Sequence, residues 1–258
     1  MLTLLEKLYG PREADTQRAL SELLTSFISG LDAEAKFIGK DARGWIQVDV
    51  SGSDSTIVTN YLRKRFGLAS SFADIHTPMV FKGKIVDSGK VGYGVYVDIG
   101  LSPPSSIDAL IPLHRLRSHL ADGRKLSSRE IIDLFCLHDN FPLSIRLVEV
   151  DVEGKKIGAE PSDIQIKLFR DWLSSQLDRV IVLGAHYEQV ALVLRKSGVN
   201  RYVAKVDELG FLEYAIACKL GTDAPGVIKA LGQYLRGVQL CAFSPRKVSG
   251  ILGELPPL

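Results

Sequence analysis

Tyr93 and Tyr96 stand three positions apart in a glycine-rich run, and their ring chemistry suits them to hold an unstacked nucleic-acid base. An accessible phenol ring offers a π face on which a single-stranded base stacks for roughly 1–3 kcal/mol, while neighbouring cations neutralise the phosphates. Lys82, Lys84, Lys90 and Arg146 are the candidate cations. Other reactive residues are spaced less productively. His76, His114, His119, His138 and His186 have no metal-ligand spacing, and Cys136, Cys218 and Cys241 form no C-x-x-C pair. No G-x-S-x-G elbow occurs. The glycines between 89 and 94 lack the G-x-x-x-x-G-K-[ST] pattern and lead into a strand, so they read as a turn and not as a phosphate cradle. Residues 219–226 run from a strand into a helix, and Thr222 or Asp223 there reads as a helix cap more than as part of an anion site. The expectation is a protein without catalytic residues, metal or cofactor.

The elements that must carry the tyrosines follow from periodicity. Residues 81–100, FKGKIVDSGKVGYGVYVDIG, read as two strands of a small barrel, with Val95 and Val97 on one face and Gly94 where a barrel strand bends. Tyr93 and Tyr96 can share the outer surface only if Gly94 sits at a bulge or coil. Ser127 and Glu130 ahead of Ile131, Ile132, Leu134 and Phe135 mark a capped short helix inserted before the fourth strand.

With Asp108-Ala-Leu-Ile-Pro-Leu and the late block from Ile145 to Ile157, this run resembles the S1 family of RNA-binding domains, five-stranded OB barrels. The resemblance implies that Tyr93 and Tyr96 face RNA, and that Lys82, Lys84, Lys90 and Arg146 lie near them because the family sets the outer sides of the first, second and fourth strands together. Where many members carry a histidine in the third strand, this chain has Pro112, with His114 two positions later as the substitute.

The flanks parse as two α/β units. Residues 1–76 read as β-α-β-β-α, with a short strand in 72–75. Residues 77–162 are the S1-like barrel, 163–177 a connecting helix with Ile164, Leu168, Trp172 and Leu173 on one side, and 178–249 a β-α-β-β-α-β module of the ferredoxin-like kind. The expected class is therefore α+β, a central OB barrel between two α/β modules, and residues 250–258 read as a frayed tail. As a whole the chain resembles a family of archaeal proteins built around an S1 domain.

Net charge is only +2, so nucleic-acid binding must rest on local patches. Residues 1–70 hold nine Lys/Arg and nine Asp/Glu, whereas 178–247 hold ten against six. Arg179, Arg195, Lys196, Arg201 and Lys205 form the candidate second basic patch. The odd cysteine number suggests a reducing cytoplasm, and no apolar leader or run of about 18 apolar residues points to secretion or membrane spanning. Two functions are expected from this pattern. One is a non-catalytic RNA-binding protein, associated with the ribosome or another ribonucleoprotein. The other is a scaffolding factor of such a complex whose barrel does not touch RNA.

Overall fold

Amphipathic periodicity decides the N-terminal unit. The computed structural model describes residues 1–102, 107–151 and 153–253. Strands β1 (Leu2–Lys7), β2 (Glu34–Lys40) and β3 (Trp45–Ser51) form an antiparallel sheet in the order β1-β3-β2. Helices α1 (Glu13–Phe27) and α2 (Ser55–Phe66) cover it by setting Leu20, Leu24, Val58 and Leu62 against Leu4, Ile46 and Val48. The short strand expected at 72–75 is instead a 3-10 turn over Phe72–Asp74, because the Ser71 hydroxyl accepts the Ala73 N–H at 3.3 Å and curls the backbone.

The central strands are β4 (Val80–Val86), β5 (Gly94–Asp98), β6 (Ala109–Pro112), β7 (Pro142–Asp151) and β8 (Lys156–Pro161). They close a barrel in the order β4-β5-β6-β8-β7, all antiparallel except β6 with β8. Alternation fills its interior with Phe81, Ile85, Val95, Val97, Ala109, Ile111, Leu143 and Ile145. Between β6 and β7 lie α3 (Leu113–Leu120), which the sequence reading did not resolve, and α4 (Ser128–Phe135). The α4 start carries the expected reciprocal cap: Ser127 Oγ accepts from the Glu130 N–H, and the Glu130 carboxylate accepts from the Ser127 N–H.

Helix α5 (Asp163–Ser174) does more than connect. It buries Ile166, Phe169, Trp172 and Leu173, while Ile164, expected on the inner side, faces solvent. The Phe169 and Trp172 rings meet Phe135 of α4 and Phe243 edge-on, so barrel and C-terminal unit share one core. That unit contains β9 (Arg179–Leu183), α6 (Tyr187–Lys196), a 3-10 turn over Val199–Tyr202, β10 (Val203–Glu208), β11 (Glu213–Cys218), α7 (Ala224–Gly232) and β12 (Gln239–Phe243). Its antiparallel sheet has the order β10-β11-β9-β12. One face packs on α6 and α7 and the other on the α5 core. Residues 250–252, expected in a frayed tail, are instead helical, because Pro245 opens helix α8 (Pro245–Leu252), which buries Val248 and Leu252. Pro256 and Pro257 lie outside the described residues. Among the described residues no helix is long and apolar enough to cross a membrane.

Buried charge joins the three units. Lys84 of β4, expected on the RNA surface, is 1% exposed. Its ammonium contacts Glu6 of β1 at 2.7 Å and Glu213 of β11 at 2.5 Å, and the Tyr9 hydroxyl donates to Glu213 at 2.8 Å. Burial pulls the Lys84 pKa down, but the two carboxylates reverse this and hold it above the usual lysine value. Burial pushes Glu213 up, with Lys84 opposing. A second set lies alongside: Lys7 pairs with Asp98 at 2.7 Å, Trp45 Nε1 donates to the same carboxylate at 3.1 Å, and Arg43 bridges Asp98 to Asp108. Contact is close enough that a β-carbon at Gly100, whose φ is +69°, would stand 2.2 Å from Leu5 Cδ2.

Candidate nucleic-acid interface

The exposed outer face of β5 and β6 is built from the barrel's own register. Gly94 pairs with Pro112 and Tyr96 with Leu110, so the turn from β6 into α3 arrives beside the tyrosines. The Leu113 N–H donates to the Tyr93 carbonyl at 2.8 Å, which sets exposed His114, in the first turn of α3, next to this group. Strands β5 and β6 run very close at Gly94, where a β-carbon would lie 2.3 Å from the Ile111 carbonyl oxygen.

Tyr93 and Tyr96 share the outer surface, but not through a bulge. The β5–β6 register is unbroken, and the strand begins at Gly94, which leaves Tyr93 just outside the alternation and free to turn outward. Tyr93 is 55% exposed and Tyr96 half-buried. Their rings meet edge-on at 6.3 Å and 85°, with the hydroxyls 2.9 Å apart. The hydrogen bond to Tyr93 raises the Tyr96 pKa above that of an ordinary phenol. An accessible pair of perpendicular rings can take one base against a face and a second against an edge.

The cations do not gather around this pair as expected. Lys84 is withdrawn into the junction because three units need a counter-charge for Glu6 and Glu213. Lys82 is exposed but lies opposite Ser144, four residues before Val86, the residue that faces Tyr96. At about 3.3 Å per residue that places it roughly 13 Å along the strand from the rings. Lys90, in the β4–β5 turn near the tyrosines, is exposed and pairs with Asp87 at 2.5 Å. Arg146 points outward from β7 and is held by Glu160 at 2.7 Å and Asp163 at 3.2 Å. Glu160 also meets Arg115 and His119; burial raises its pKa, but Arg146, His119 and Arg115 outweigh that and hold it below the usual carboxylate value.

Arg179 does not belong to the second basic patch. It is 2% exposed, stacks on Trp172 at 5.2 Å and donates to the carbonyls of Trp172 and Leu177 at 3.1 and 2.8 Å, which fastens the end of α5 to β9. Arg195, Lys196 and Arg201 are exposed together around the end of α6, and Lys205, also exposed, is paired with Asp207 at 3.1 Å. The reading missed Tyr202 and Lys219 beside them; the adjacency of Arg201 and Tyr202 was the available signal. At the start of α7 the N–H groups are occupied, that of Gly226 by Asp223 and that of Ala224 by Asp178, both at 3.1 Å, so the first turn is capped. Among the described residues no cluster of His, Cys, Asp and Glu could hold a metal ion.

Three family models match in succession: the DUF2110 N-terminal domain over residues 1–71, the DUF2110 central domain over 76–173 and the DUF2110 C-terminal domain over 177–243. The central match takes in α5 together with the barrel. No curated protein matches the chain.

Proposed function

We propose that this chain, which belongs to the DUF2110 family, is a non-catalytic RNA-binding protein that uses the β5–β6 face of its barrel to hold single-stranded or unpaired RNA. The observation that carries this reading is the Tyr93–Tyr96 ring pair, Tyr93 exposed and Tyr96 half-buried, at the strand end that leads to exposed His114. The barrel order, with the first strand between the second and fourth and the third parallel to the fifth, supports an S1-like OB fold. The order β10-β11-β9-β12 supports a ferredoxin-like C-terminal module, and the N-terminal order supports β-α-β-β-α. Fold likeness by itself assigns no activity; the ring pair is what suits this face to RNA.

Affinity at this face comes from stacking more than from charge, since Lys90 and Arg146 already have carboxylate partners. That pairing is the one observation favouring a scaffolding role in a ribonucleoprotein over direct RNA contact. Ultraviolet crosslinking of the full chain to short single-stranded RNA, followed by peptide mass spectrometry, separates the two. Adducts on peptides containing Tyr93, Tyr96 or His114 are expected; adducts absent from residues 81–120 while RNA is retained elsewhere would reject the barrel as the RNA site.

A further inference from the structure

The central strands β9 and β11 of the C-terminal sheet are buried along their whole length, whereas the loops at its end are open to a ligand. One loop cluster has the composition for it. Arg195 and Lys196 end α6, the chain reverses at Gly198, and Arg201 and Tyr202 follow at once in the 3-10 turn. The Lys219 N–H donates to the Tyr202 carbonyl at 2.8 Å, which draws the end of β11 into the same surface. Tyr202 is 41% exposed, with the Arg201 guanidinium over its ring at 4.7 Å, and the neighbouring Leu220 is 77% exposed. None of Arg195, Lys196, Arg201 and Lys219 has a carboxylate within ion-pair distance among the described residues, in contrast to Lys82, Lys90, Arg146 and Lys205. Beside Lys219 a cavity of about 130 Å³ is lined by Thr222, Ser244 and Arg246, and by Asp178 and Asp223, whose carboxylates are engaged by backbone N–H groups.

We propose that Arg195, Lys196, Arg201, Tyr202 and Lys219 form a second single-stranded nucleic-acid site, in which one base stacks on the Arg201–Tyr202 pair and the cations hold the flanking phosphates. The favourable placement of cations at a helix C-terminus accounts for Arg195 and Lys196 only. Arg201 and Lys219 lie off the helix, and an exposed tyrosine under a guanidinium is a stacking platform for which the helix has no need. The inference takes its ligand class from the barrel reading but rests on different residues.

The test uses the full chain and a short fluorescent oligouridylate titrated at several salt concentrations. Tyr202→Ala is expected to weaken binding about fivefold or more. Arg195→Glu with Arg201→Glu is expected to weaken binding and to lower the slope of log affinity against log salt by about 1.4, at roughly 0.7 per lost phosphate contact. Both sets of side chains are exposed, and an unchanged melting temperature shows that the fold is intact. Unaltered affinity and slope in both variants would overturn the site. Losses here with none in Tyr93→Ala/Tyr96→Ala support this site and reject the barrel reading; the reverse result rejects this site alone. Equal displacement of the RNA by polyglutamate, with Tyr202→Ala silent, would mean an acidic protein partner and would also overturn the proposal.

Discussion

Two parts of the barrel surface, two residues apart on β5, use polar side chains in opposite ways. At Asp98 the outer face is sealed beneath the N-terminal unit, and its charges are spent on Lys7, Arg43 and, on the next strand, Lys84 with Glu6 and Glu213. At Tyr96 and the adjoining Tyr93 the same strand is uncovered, and its rings satisfy each other through a single hydroxyl contact. A charge at the junction is fixed, because removing one member strands the others in a dry interior. A ring at the open face has no such duty. The difference teaches that coverage by the neighbouring unit, and not residue type alone, decides which polar side chains of the barrel stay open to solvent.

The largest effect is expected at the junction. Lys84→Met leaves Glu6 and Glu213 buried without their counter-charge and should cost about 3–5 kcal/mol of stability, measured by denaturant unfolding. Lys84→Met with Glu6→Gln and Glu213→Gln should recover much of that loss; failure to recover would mean the cost lies in packing and not in charge. Because the folded state raises the Lys84 pKa, its contribution is whole below the ordinary lysine value of 10.5 and is lost as pH climbs through the raised value. The wild-type melting temperature should therefore fall more steeply above pH 10.5 than that of Lys84→Met. Parallel curves would contradict the pairing. At the open face, Tyr93→Ala/Tyr96→Ala should leave the melting temperature unchanged and weaken RNA binding more than tenfold, at roughly 1 kcal/mol or more per stack. Smallest is Tyr93→Phe/Tyr96→Phe, which keeps both ring faces and loses only the exposed hydroxyl contact, so affinity should stay within about threefold of wild type.

Much of the architecture was legible because it depends on local pattern. The alternation of Val95 with Val97, the helical stripe of α1 and the Ser127–Glu130 cap each encode their element within a few residues. What was not legible depends on partners distant in the chain. Nothing near Lys84 tells that Glu6 and Glu213 will converge on it from 78 and 129 positions away, and nothing near Arg179 tells that Trp172 and the α5 carbonyls will enclose it. On α5, Trp172 and Leu173 are buried and Leu168 packs on the core as expected, but Ile164 was misassigned for the same reason: Ile164 and Ile166 are equally apolar, and the shared core selects Ile166 and Phe169. In the candidate site, Tyr93 and Tyr96 could be picked out by ring chemistry, whereas their distance from Lys82 is set by a strand register that no local pattern reveals.

The central claim is that the Tyr93–Tyr96 face binds RNA by stacking. It is tested most directly by titrating labelled single-stranded RNA, at low salt, into the wild-type chain and into Tyr93→Ala/Tyr96→Ala and Tyr93→Phe/Tyr96→Phe. Loss of more than tenfold in the alanine variant with near-normal affinity in the phenylalanine variant is the predicted result. Equal affinity in all three proteins, or no binding by the wild type, would contradict it.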